Sequence, residues 1–139
     1  MAPGGPTSRL LGGVWAGIAL QVAGQVIDLR WHATHPDFER AADQLRAHWL
    51  IWLGVLVTLL AAAVGARRVP SSWYSGYRLL LLASVVYALS SGWHFWEHAN
   101  LRDPAAPHVL VAIGKAAILA GAVSATVLVR RRRVALPDR

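Results

Sequence analysis

Four stretches of this chain, 10–29, 48–66, 79–95 and 108–129, are each apolar over about the length a helix needs to cross a lipid bilayer. Inside a bilayer every backbone N–H and C=O must find its partner within the protein, which restricts a spanning chain to helices or a closed barrel. The runs are rich in leucine and alanine and show no alternation of period two, so strands are excluded. Their borders carry helix breakers: Pro36 after the first run, Pro70 after the second, Pro104 and Pro107 at the start of the fourth. With 139 residues the chain has room for one domain. Charged residues make up 15% of it and mean hydropathy is +0.41, whereas soluble domains carry about 25% charged residues. The predicted fold is all-α, an integral membrane four-helix bundle.

Arginines orient it. Arg9, Arg67, Arg68, Arg78, the run at 130–133 and Arg139 fall on one side. Arg30, Arg40, Arg46 and Arg102 fall on the other, accompanied by Asp37, Glu39, Asp43 and Asp103. Positively charged flanks stay inside, so both termini are predicted to be cytoplasmic in a plasma membrane of bacterial type. The first and third loops then face outside. The first span carries Gln21, Gln25 and Asp28, follows a single arginine and lacks a clear small-x-small cleavage site, so it reads as a retained helix and not a signal peptide. The net charge of +7 does not point to nucleic acid, because the arginines flank apolar runs and form no basic face of a soluble fold. The cluster at 130–133 reads as an anchor on anionic lipid headgroups, and Gly13 and Gly17 form a GxxxG suited to close helix packing.

The two halves, 10–66 and 79–129, resemble one another. With His32 set on His98, Trp31-His32-Ala33 matches Glu97-His98-Ala99, Asp28 matches His94, and Asp37 matches Asp103. The second helix of each half opens with His-x-Leu-x-x-x-Gly, from His48 to Gly54 and from His108 to Gly114. Halves of two spans each share one orientation, so two parallel repeats about an axis along the membrane normal are expected, with the histidines meeting near it.

All six histidines, at 32, 35, 48, 94, 98 and 108, lie in the outer loops or the adjoining helical turns. Residues four apart share a helix face, so Asp28 projects with His32 and His94 with His98, while His48 and His108 add one group each from the next helices. Each half therefore offers three candidate metal ligands: Asp28, His32 and His48 in the first, His94, His98 and His108 in the second. His35, beside Pro36, is placed outside both sets. The chain has no cysteine, which removes disulfides, iron–sulfur clusters, thiolate zinc sites and cysteine nucleophiles. Imidazole with a carboxylate suits a transition metal, iron, copper or zinc, as one ion or a dinuclear pair. A bis-histidine haem is the other metal arrangement such residues allow.

Polar stripes lead to this level: Gln21, Gln25, Asp28 and His32 on the first span, and Ser84, Tyr87, Ser91, His94 and His98 on the third. Polar groups within a bilayer face a partner or a cavity, so both stripes are expected to point inward. Lys115, the only lysine, follows His108 by seven residues on the same face and is expected inside the bundle, tuning the site or donating a proton. Glu97 is the second candidate for acid–base work. Trp31, Trp49, Trp52, Trp93 and Trp96 crowd the histidine level as an aromatic belt, with Trp52 the best placed to line a pocket for a lipophilic substrate.

The leading functional reading is a membrane metalloprotein, a non-haem oxidoreductase acting on a lipophilic small molecule, with membrane lipid around it and no nucleic-acid partner. His94-x-x-x-His98 is similar in style to the histidine pairs of membrane non-haem di-iron oxygenases, although the rest of their histidine set has no counterpart here. Two other readings stand beside it. One is a metal-binding or delivery protein without a reaction, which cannot handle soft copper(I) well with no cysteine and only Met1. The other is a metal-free isomerase or cyclase in which Asp28 or Glu97 works with histidine on a lipid-like substrate.

Overall fold

The computed structural model describes residues 6–35, 41–69, 76–100 and 105–135. Four helices occupy them: α1 (Pro6–Thr34), α2 (Ala41–Arg68), α3 (Tyr77–Ala99) and α4 (Ala105–Ala135). Each contains a segment long and apolar enough to cross a membrane: Ser8–Thr34, Leu45–Arg68, Tyr77–Ala99 and Ala105–Arg131. The apolar runs recognised in the sequence lie inside these segments. The helices extend further because the polar turns at their ends, such as Arg30 to Thr34, continue the same hydrogen-bond ladder. Pro107 starts α4 without breaking it, since in a first turn its missing N–H has no helical partner to lose. Pro36, Asp37, Glu39, Arg40, Pro70, Trp73, Arg102, Asp103, Pro104 and Arg139 lie outside the described residues.

Sequential helices pack on one another, most closely α1 on α2 and α3 on α4, with α2 against α3 joining the two pairs. α1 and α4 meet only sparsely. The surface is apolar: Val22, Leu29 and Leu89 are 60%, 63% and 70% exposed. Many of the buried residues are small, among them Ala47, Thr58, Ala62, Ala83, Ser84, Ala122 and Ala125, while Tyr77, Tyr87, Leu80, Ile51 and Ile118 are larger. Such a surface and interior fit helices apolar enough to span a membrane, since in lipid association comes from close packing and interhelical hydrogen bonds.

The α1–α2 crossing shows the principle. A Cβ on Gly54 would lie 2.6 Å from the Gly17 carbonyl oxygen, and one on Gly17 would lie 2.8 Å from the Gly54 oxygen. The two backbones touch through this pair, so the second glycine of the α1 GxxxG serves packing within the chain. Just above the crossing the buried Gln21 Nε2 donates to Thr58 Oγ1 at 3.0 Å, and Thr58 returns its own proton to the Gly54 carbonyl at 2.8 Å. On α4, Gly114 plays the matching part: a Cβ there would meet Tyr87 Cβ at 2.9 Å. These close approaches fix how α2 lies on α1 and α4 on α3, and so where His48 and His108, one to two turns away, are delivered.

Candidate metal centre

The C-terminal ends of α1 and α3 and the N-terminal ends of α2 and α4 come together at one end of the bundle, and the polar stripes converge there. Asp28 and His32 project from one face of α1, as the spacing of four requires, and meet His48 from the second turn of α2. Asp28 is buried, and its Oδ1 lies 3.4 Å from His32 Nε2 and 3.3 Å from His48 Nε2. That oxygen accepts no hydrogen bond of proper geometry. The separations nevertheless match the edge of a tetrahedron of ligands around an ion bound at 2.0–2.1 Å, about 3.3–3.4 Å. Asp28 Oδ1 thus stands at ion-pair distance from two imidazoles, and one ligand atom from each of the three residues lies within 4.8 Å of the others.

His94, His98 and His108 form the second set, donor atoms within 4.8 Å of one another as in the first. Their rings stand edge to face, His94 with its centroid 4.3 Å from both His98 and His108. The sets adjoin: the His48 and His94 ring centroids are 6.4 Å apart. All six side chains line one cavity of about 420 Å³ that reaches down to Val111, Ala112 and Lys115. Among the described residues that line it, Asp28 is the one carboxylate and Lys115 the one aliphatic cation.

A hydrogen-bonded chain links that cation to the first set. Lys115 Nζ donates to Gln25 Oε1, and Gln25 Nε2 donates to Asp28 Oδ2 at 3.1 Å. Gln25 therefore holds Asp28 by one oxygen and leaves the other turned to the histidines. Supports of this kind set the orientation and basicity of a ligand. Lys115 Nζ also stands 5.9 Å from the centroid of the Tyr87 ring. Gln25, which in the sequence is one member of a polar stripe, is the functional residue that residue types alone did not single out; its place three residues before Asp28 was the available signal.

The other candidates lie apart from the cavity. Glu97 accepts a hydrogen bond from Trp93 Nε1 at 2.9 Å on the neighbouring face of α3 and does not line the cavity. His35 stacks on Trp31 with ring centroids 4.0 Å apart, and its Nδ1 is 2.9 Å from Thr34 Oγ1. Trp52 reaches across to α3, its ring edge 3.9 Å from where a Cβ on Gly92 would stand. It packs the α2–α3 interface and lines neither the histidine cavity nor the groove beside it.

Chemically, the first set offers a buried carboxylate with two imidazoles, and the second three imidazoles. Both are ligand combinations of transition-metal sites with a position left open. The chain matches no protein-family model, no curated protein and no solved structure.

Proposed function

We propose that this chain is an integral membrane metalloprotein that holds two adjacent transition-metal ions at the extracytoplasmic end of its bundle and works as an oxidoreductase on a lipophilic small molecule. The observation that carries the metal reading is Asp28 Oδ1: a buried carboxylate oxygen that accepts no hydrogen bond, yet is flanked at 3.4 and 3.3 Å by the Nε2 atoms of two histidines from different helices. A buried carboxylate needs compensating positive charge, which a protonated imidazole at these distances or a bound ion supplies, and the ligand spacing with a three-histidine set alongside supports the ion. The arginine asymmetry supports cytoplasmic termini and an outward-facing site. The repeat reading is supported by the way each hairpin supplies its own three-residue set. It is supported again by Gly54 and Gly114, which approach Gln21 and Tyr87, positions that correspond when Asp28 is set on His94.

In this reading Asp28, His32 and His48 hold one ion and His94, His98 and His108 the other. Iron or copper held there would supply electron transfer, chemistry for which the chain has no cysteine of its own. The chain's own groups do the rest. Gln25 orients Asp28, and Lys115 places a positive charge and a donor proton at the cavity floor, where developing negative charge on a substrate oxygen is stabilised in a low-dielectric setting. Glu97, turned to Trp93, is assigned a supporting place beside the second set, steadying the last turn of α3.

Elemental analysis of protein purified in detergent without a histidine tag tests the reading, with two equivalents of iron or copper expected per chain; two of zinc would keep the metal site and remove the redox reaction. A clean zero returns the site to metal-free acid–base chemistry. Stoichiometric metal with no redox activity or oxygen consumption towards any lipophilic donor leaves a binding or delivery protein.

A further inference from the structure

The sparse α1–α4 seam contains a second space, a groove of about 320 Å³ floored by Ile18 and Ile118 and walled by Val22, Val26 and Leu119. It lies between two cross-ties, Trp15 Nε1 to Thr126 Oγ1 at 3.0 Å towards the arginine-rich end and Lys115 to Gln25 towards the histidines. Val22 and Val26 are 60% and 61% exposed, so the groove opens sideways on the face that meets lipid tails. Its inner end is not apolar. Gln25 and Lys115 line both this groove and the histidine cavity, so the Lys115–Gln25 hydrogen bond is the partition between them.

From this arrangement we propose that the α1–α4 groove is the seat of a single-chain fatty acid drawn from the bilayer, its alkyl chain along Ile18, Val22 and Leu119 and its carboxylate on Lys115. The alkyl assignment follows from the lining and the lateral opening. The carboxylate follows from charge. Among the residues that line the groove, Lys115 is the one charged side chain and no carboxylate stands beside it, so the polar end of the groove suits an anion. One ammonium beside one amide suits a monoanionic head, and a gap between two neighbouring helices admits one chain. On binding, Lys115 exchanges the neutral Gln25 oxygen for an anionic one, a stronger charge-assisted bond. Gln25 is then freed to rotate, which couples seat occupancy to the support of Asp28. The proposal deepens the metalloprotein reading by naming its substrate class and rests on it for the reaction, although the seat itself is built from α1, α4 and Lys115.

The test uses the full chain in phosphatidylcholine nanodiscs, a long-chain fatty acid bearing a photoreactive diazirine, and the matching long-chain alcohol. Saturable labelling by the acid is expected at Val22, Val26 or Leu119, with the alcohol much weaker. Lys115→Met is expected to weaken the acid tenfold or more and to leave the alcohol unchanged, while Lys115→Arg restores most of the difference. Val22→Trp, on the lipid face, is expected to abolish labelling with metal content unchanged. Equal labelling by acid and alcohol, insensitivity to Lys115→Met, or adducts spread over the other helix faces would overturn the proposal. So would photo-crosslinks from this groove to a second copy of the chain. Metal-loaded protein without groove labelling defeats this inference alone; Lys115-dependent labelling of protein that holds no metal upholds the seat and defeats the metal reading.

Discussion

Asp28→Asn separates a ligand from a mere hydrogen-bonding group, because the change preserves shape and removes charge. Asparagine can still offer its oxygen to Gln25 Nε2, the contact that spans 3.1 Å in the native site, but its neutral amide is a poor ligand for zinc, iron or copper. Loss of a supporting residue around a metal costs 10–100-fold in affinity, so replacement of a ligand itself should cost about a hundredfold or more. At a free metal concentration about 100 times the native dissociation constant, binding stabilises the native protein by about 2.7 kcal/mol. The same concentration would stabilise the variant by only about 0.4 kcal/mol. The expected loss is therefore about 2 kcal/mol of metal-dependent stability, read as unfolding of detergent-solubilised protein with and without chelator. Metal content should fall from two equivalents to one. With chelator present the variant should match the native protein or exceed it, since a desolvated carboxylate has been removed. If Asp28 only paired with His32 and His48, the variant would be destabilised equally with and without metal. That result, or full metal content in Asp28→Asn, would refute the ligand assignment.

Four further outcomes are expected. His94→Ala, His98→Ala and His108→Ala should each release one equivalent of metal and leave the Asp28 set loaded, whereas His35→Ala, stacked on Trp31 outside both sets, should release none; elemental analysis of the four variants decides it. Gly54→Val places a side chain where even a Cβ stands 2.6 Å from the Gly17 oxygen, so α1 and α2 must part. Overpacking costs about 1–3 kcal/mol, and metal should be lost from the first set while the His94 set stays filled. For topology, a cysteine at Ser72 should resist an impermeant thiol reagent in intact cells and one at Ala105 should react; the reverse pattern would invert the bundle. Gln25→Leu removes the hydrogen bond to Asp28 without touching a ligand, and metal affinity of the first set should fall by about 10–100-fold while stoichiometry at saturating metal stays at two.

The spans could be read from the sequence because a bilayer imposes a length on them, and the two ligand sets because a helix repeats every 3.6 residues. Asp28 with His32, and His94 with His98, are consequences of spacing alone, and His48 and His108 follow once α2 and α4 are known to start at that level. What the sequence did not disclose is set by rotation about the helix axes. Glu97 is adjacent to His98, yet a step of one residue turns it to the face of Trp93, four residues before it, and that indole takes its carboxylate. In the polar stripe of α3 it is Ser90 that is buried, donating to the Val86 carbonyl at 2.7 Å, while Ser91 is only partly covered. Trp52 has the depth for a pocket residue but lies on the side of α2 that meets α3, over Gly92. Each of these positions has the right residue type at the right height, and only helix–helix packing decides which way it points.

The same packing explains how so small a chain gathers a polar cluster among apolar helices. Small residues let α1 close on α2 at Gly17 and Gly54, and α4 close on α3 at Gly114, so each hairpin is held by close backbone approach. Hairpins held in this way bring donor atoms together, which is why Asp28 Oδ1 sits at ligand spacing from two imidazoles. Among the described residues the seam between α1 and α4 shows no such glycine contact and is spanned by side-chain ties, Trp15 to Thr126 and Lys115 to Gln25. Each tie is a single hydrogen bond, net about 0.5–1.5 kcal/mol for the neutral Trp15–Thr126 pair and about 1.5–3 kcal/mol for the charged Lys115, whereas parting Gly17 from Gly54 would dismantle an interface. The bundle is accordingly closest-packed within each hairpin and loosest at the α1–α4 seam, and that seam is where the proposed fatty-acid seat lies beside Lys115.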